Sequence, residues 1–348
     1  MKPSIRMPYI DALRGLAIIF VVFGHIELFS FFDFQYTTII GRFFAAIQLP
    51  LFFFISGFCS HKPKRSELHK LILRKFAQLV VPAFAVGMLY TFLFLGVGFE
   101  NYFSNASKLG YWFPISLFEM FCIYYCCEWI RDRTSNNKRD ILILVLVSLF
   151  LYGMKLPFKT IPFWNTIGNY TSLHYTLGYF QFFAAGILFR RYIHIIAGTF
   201  QSHAFMTVTI CLLFCCFILQ IFANQHLDST SIEGQICITI VETVIAYPAV
   251  YVLYAIFYMH LKNAIITNLL QYIGKRTMDI YLLHYFLLPT LPMVGYFLRT
   301  YHNVVIELLL GFILSVIICL ISIGLGKVIR LSPMMSKYLL GVRCKETI

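Results

Sequence analysis

Ten runs of apolar residues, each close to the length that crosses a bilayer, constrain this chain more than any other feature of its sequence. A helix needs about 20 apolar residues to traverse the hydrocarbon core, and there every backbone polar group must be satisfied within the segment itself. The runs fall at 9–31, 41–60, 77–99, 111–130, 140–155, 174–189, 204–223, 236–259, 277–298 and 304–327. The fifth is the weakest, because its stretch from Ile141 to Tyr152 is short and Pro157 and Pro162 follow. Composition agrees, with 59% hydrophobic and 12% charged residues, against roughly 25% charged in a soluble domain. So few charges could not cover a water-facing surface, which excludes soluble enzymes, secreted disulfide scaffolds and disordered chains. The expected fold is all-α: a polytopic membrane protein of about ten transmembrane helices.

The net charge of +13, from 28 Lys and Arg against 15 Asp and Glu, would suit nucleic acid if it formed a patch. Its distribution argues for membrane orientation instead. With ten spans and a cytoplasmic N-terminus, 22 of the 28 basic residues lie in cytoplasmic segments, Arg190, Arg191, Lys327 and Arg330 among them, as positive-inside asymmetry requires. Omitting the fifth span would place Arg190 and Arg191 on the wrong side. Both termini are therefore expected in the cytoplasm, the lipid bilayer is the expected partner of the surface, and no nucleic acid is expected. Residues 1–348 read as a single membrane domain, with 331–348 a short cytoplasmic tail. The ten cysteines lie almost all in apolar runs without CxxC pairs, which marks them as small buried hydrophobes. No His, Cys or carboxylate cluster has zinc spacing, so no metal site is expected. The first run follows Lys2 and Arg6 as a signal peptide would, but it carries Asp11, Arg14, His25 and Glu27 and no cleavage pattern follows. It is expected to remain as the first span.

An ionisable side chain inside a span costs at least about 2.5 kcal/mol and faces a cavity or a partner, so each one is a functional candidate. Eleven positions separate Arg14 from His25. At about 100° per residue they point within about 20° of one direction, some 16 Å apart along the axis. Asp11, Arg14, Ile18, Val21 and His25 follow the 3-4-3-4 spacing of a single seam. An arginine near the cytoplasmic mouth suits the phosphates of an anionic donor, because its guanidinium keeps its charge and forks onto phosphate oxygens. A histidine deeper in the span suits proton transfer. A plainer reading pairs Asp11 with Arg14 at i, i+3 and gives His25 a hydrogen bond to a neighbouring helix. Both readings fit the spacing.

The opening PYIDALRGLAIIFVVFGH resembles the first-helix signature of the acyltransferase-3 family, in which a basic residue, ten intervening residues and a histidine recur; here these are Arg14 and His25. Similar stretches follow in order: QLPLFFFISGF from Gln48, ILRKFAQLVVPAF from Ile72, GYWFPISLFEMF from Gly110, YFQFFAAGILFRR from Tyr179 and IGKRTMDIYLLHYFLL from Ile273. Together they span about residues 8–330. The chain departs from the pattern at Pro114, Thr277, Met278 and Asp279, and it ends at Ile348 without the esterase-like domain that many relatives append, so it resembles the stand-alone form. The resemblance implies a membrane-embedded O-acyltransferase of a bacterial inner membrane, with acetyl transfer foremost. It would use cytoplasmic acyl-CoA, acetyl-CoA foremost, as donor and no bound cofactor. The acceptor would be a hydroxyl of a cell-envelope polysaccharide or glycolipid. It makes Arg14 and His25 the catalytic candidates and His284, beside Asp279 and Tyr281, a substrate or second proton-transfer candidate.

Four more residues complete the substrate-binding candidates. Glu119 could position the donor or balance Arg14 or Arg42, and Trp112 fits sugar stacking as well as an interfacial aromatic belt. Ser56 and Gly57 suit close helix approach better than nucleophilic attack, since no GxSxG elbow surrounds the serine. A multi-span transporter of a sugar, lipid or anion is the alternative from another class. The chain shows no two-half repeat of the kind such carriers carry.

Overall fold

The computed structural model describes residues 7–31, 39–63, 65–131, 137–227, 231–259, 265–301 and 303–342. Among these residues all regular structure is helical and no strand occurs. Among the described residues eight helices are long and apolar enough to cross a bilayer: Pro8–Ser30, Gly41–Phe58, Leu68–Leu95, Trp112–Ile130, Ile141–Thr160, His203–Ala223, Glu233–Met259 and Val304–Ile329. The pair Thr277–Leu287 and Pro292–Tyr301 makes a ninth if counted as one broken span.

The differences from ten expected spans have local causes. The weak fifth run is a full helix, Asn137–Thr160: Pro157 stands three residues from its end and removes a single donor, the one that would meet the Gly153 carbonyl, so the helix continues through it. The sixth run is helical over Leu173–Arg191, but His174, Tyr175, Tyr179 and Gln181 make it more polar than the other spans. The expected continuous run 277–298 leaves helix at 288–291. Pro289 and Pro292 frame that break; each lacks an N–H and disfavours helix at the residue before it.

The described residues pack as two compact units, each assembled from separated stretches: Met1–Ile55, Arg191–Thr277 and Leu288–Ile321 in the first, and Ser56–Arg190, Met278–Leu287 and Ser322–Ile348 in the second. The first unit is organised on the helix Pro8–His25, 13 of whose 18 residues are buried. A span so enclosed faces protein rather than lipid. Small residues make that enclosure possible: a Cβ at Gly15 would strike the Leu270 carbonyl, and one at Gly274 would strike the Asp11 carbonyl. These two contacts, four residues apart on each helix, set Ile265–Gly274 antiparallel to the first helix with the backbones touching. Phe20, Phe23, Phe44 and Phe312 fill the adjoining core, with ring centroids 4.7–6.1 Å apart. In the second unit the same device recurs where Gly57 meets the Phe183 carbonyl, the close approach that a small residue there allows.

Glycine at these contacts has no substitute of larger volume. Gly274→Ala and Gly57→Ala should each destabilise the protein by at least the roughly 1–3 kcal/mol typical of overpacking. Gly153→Ala, with nothing within 4 Å of the added carbon, should leave stability unchanged or slightly raised. Thermal melts of the three variants in detergent check the contrast.

Candidate active site

The seam anticipated on the first helix is partly open at Arg14 and at His25 and closed between them. Ile18 is fully buried and Val21 is 4% exposed, whereas Arg14 and His25 are only half-buried. Asp11, one turn before Arg14, is buried. Its carboxyl lies 4.0 Å from the guanidinium, too far for a hydrogen bond. Asp11 thus moderates the charge of Arg14 without occupying its donor fork, and a third of the Arg14 side chain stays exposed. His25 is the last α-helical residue; a π turn, Ile26–Ser30, continues the helix. The imidazole packs against Phe29 of that turn, with ring centroids 5.9 Å apart. π turns inside α-helices concentrate at functional sites, where the inserted residue re-aims its neighbours. Arg42, on the helix Ile39–Phe58, is half-buried in the same unit, where Gln220 donates to its backbone carbonyl at 3.4 Å.

The remaining candidates belong to the second unit. Trp112 stacks on Tyr175 with centroids 3.7 Å apart and planes 19° from parallel. Glu119 accepts a 2.5 Å hydrogen bond from the Thr176 hydroxyl. The Tyr281 hydroxyl donates to the Gly110 carbonyl at 2.6 Å and accepts from the Phe113 amide at 3.2 Å. His284 is fully buried, with Nδ1 3.0 Å from the Ile280 carbonyl and its ring 4.2 Å from that of Tyr285. Asp279 is held by Arg330, whose two terminal nitrogens reach its two oxygens at 2.5 and 2.6 Å. Ser56 is half-buried beside Gly57.

Lys108 and Arg330 make contacts that basic-residue accounting did not anticipate. Lys108 and the following Leu109 adopt left-handed backbone conformations, and the Lys108 side chain turns inward, 98% of the residue lying out of solvent. Its ammonium donates to the carbonyls of Phe103, Asn105 and Asn169 at 2.8, 3.0 and 2.5 Å. One cation thereby ties the loop before Trp112 to the end of the helix Pro162–Thr171. Burial lowers its pKa to about 8, with the Glu119 carboxylate acting the other way.

A family model described as an acyltransferase domain matches residues 7–324. The chain belongs to the acyltransferase-3 family. No curated protein and no solved structure matches it. The acyltransferase-3 match takes in every candidate from Arg14 to His284, and it stops short of Arg330, the partner of Asp279. Among the described residues no group of three or more His, Cys, Asp or Glu side chains is arranged to hold a metal ion.

Two expected outcomes follow from the second unit. Arg330→Met strands the buried Asp279 carboxylate and should destabilise the acyltransferase by about 3–5 kcal/mol, most of which the double variant Asp279→Asn/Arg330→Met should recover; denaturation in detergent reads both. For Lys108, the folded pKa near 8 lies below the unfolded value of about 10.4. Between these values the unfolded chain binds more protons, so stability should rise with pH. The rise, read from melting temperatures, should be missing from Lys108→Met.

Proposed function

We propose that this membrane acyltransferase moves an acyl group, foremost acetyl, from cytoplasmic acyl-CoA to a hydroxyl of a cell-envelope polysaccharide or glycolipid, in the inner membrane of a bacterium with both chain ends in the cytoplasm. The observation that carries this reading is the first helix: Arg14 and His25 share one seam and stay half-open on a helix 13 of whose 18 residues are buried. The guanidinium suits the donor's phosphates, since it stays charged and presents a fork of N–H groups. His25 suits the reacting centre. In direct transfer its imidazole accepts the hydroxyl proton as the oxygen attacks the thioester carbonyl; the C–S bond breaks, and the proton passes to the departing thiolate. In a two-step route an imidazole nitrogen attacks the thioester carbonyl, the C–S bond breaks and the thiolate leaves with the imidazole's proton; the hydroxyl oxygen then takes the acyl group, the N–C bond breaks and the hydroxyl proton returns to the imidazole. Both routes need His25 neutral and both benefit from the scarcity of water among apolar helices, because hydrolysis of the thioester competes with transfer.

His25→Ala should lower acylation by roughly 10²- to 10⁴-fold while the protein still inserts in the membrane. Arg14→Ala should raise KM for acyl-CoA more than it lowers kcat, and Arg14→Lys should fall between, having charge without the fork. Mass spectrometry of the envelope polysaccharide from cells carrying each variant checks the first; CoA release by the purified protein checks the second. Normal acylation by a membrane-inserted His25→Ala protein would overturn the assignment.

A further inference from the structure

Glu27 lies two residues beyond His25, on the π turn Ile26–Ser30. It is completely buried, and neither of its carboxyl oxygens meets a hydrogen-bond donor among the described residues. What faces it is a second acid. Glu307, 3% exposed, stands one turn before Gly311, and Gly311 packs against Phe23, one turn before Glu27, so the two helices bring the two acids to the same place. Glu307 stands in the first turn of the helix Val304–Ile329, and both acids belong to the first unit.

Two carboxyl groups in contact do not both ionise, because like charges repel and each has lost its water. One proton removes the conflict. The O–H of one acid then donates to the carboxylate of the other, a short charge-assisted hydrogen bond that satisfies an otherwise orphaned acceptor. We propose that Glu27 and Glu307 hold one proton between them and that this pair positions His25 by fixing the π turn on which the helix continues.

The surroundings supply the rest of that clamp. At the far end of the turn the Leu291 amide donates to the Ser30 carbonyl at 2.9 Å, and Gly295 packs against the Phe31 carbonyl. Before the turn, Phe23 packs against Gly311 and against the ring of Phe312, 5.0 Å away. The acid pair holds the intervening stretch. Residues two apart on a helix do not face one another, so Glu27 leaves the open side of His25 clear and acts through the backbone. It is a positioning residue. Its catalytic consequence rests on the acyl-transfer reading; the shared proton does not.

The test is infrared spectroscopy on the full-length protein in lipid nanodiscs, wild type against Glu27→Gln and Glu307→Gln, paired with acyl-transfer kinetics on the same samples. Wild type should show a C=O stretch from a protonated carboxyl that disappears in both amide variants. Glu27→Gln should keep kcat close to wild type, because the amide donates to the remaining carboxylate and the pair keeps one negative charge. Glu27→Ala should lower kcat roughly 10- to 100-fold, with KM for acyl-CoA unchanged. Absence of the band at neutral pH would overturn the shared proton. Glu27→Gln as slow as Glu27→Ala, or Glu27→Ala at the wild-type rate, would overturn the positioning role. Should Glu27→Ala not fold, the band and the isosteric Glu27→Gln decide. The band is read without turnover, so a protein that shows it and transfers no acyl group would sink the acyl-transfer reading and leave the carboxyl pair standing.

Discussion

A helix that threads Asp11, Arg14, His25 and Glu27 through an apolar unit must settle the cost of every one of those groups, and the settlement shapes what packs around it. Ion hydration lost in such surroundings is worth several kcal/mol per group. Asp11 sits one turn from Arg14 and lies against the backbone contact that Gly274 permits. Glu27 lies buried one turn past the contact of Phe23 with Gly311, which brings Glu307 towards it. Arg14 and His25 are left half-open. The enclosure, the close antiparallel partner and the break into a π turn are one arrangement, in which Asp11 and Glu27 are buried while Arg14 and His25 keep part of their surface exposed.

The second unit handles buried charge differently. Asp279 and Arg330 meet through a two-pronged contact, which cancels both charges in place, and Lys108 is surrounded by three backbone carbonyls. Each device joins segments distant in sequence, so the same groups that must be neutralised also fix how loops and helices meet. Tyr281, bridging the Gly110 carbonyl and the Phe113 amide, does this with a neutral hydroxyl.

Period and length made the helical spans and the Arg14–His25 seam readable from residues alone, since both depend on local geometry that a helix imposes everywhere. Breaks were less readable. A single proline near a helix end, Pro157, is tolerated, whereas two prolines three residues apart, Pro289 and Pro292, interrupt a span. Partners across the fold were not readable at all. Arg330 counted towards orientation, yet its guanidinium is committed to Asp279. Glu27 was visible as a charge inside the first span, and Glu307 as an acid near the start of the last, but nothing local links them. Lys108 belonged to a loop by composition, and only its left-handed backbone and inward side chain turn it into a brace.

The acyltransferase-3 match shows the family; the central proposal is that acyl transfer takes place at His25, with Arg14 holding the donor. The most direct test mixes the purified protein in proteoliposomes with acyl-CoA and an envelope glycan, and follows free CoA thiol and ester formation together. The account predicts that CoA and ester appear in equal amounts and that both depend on the His25 imidazole. Saturable passage of glycan or anion across the vesicle wall with no CoA released would contradict it and identify a carrier instead.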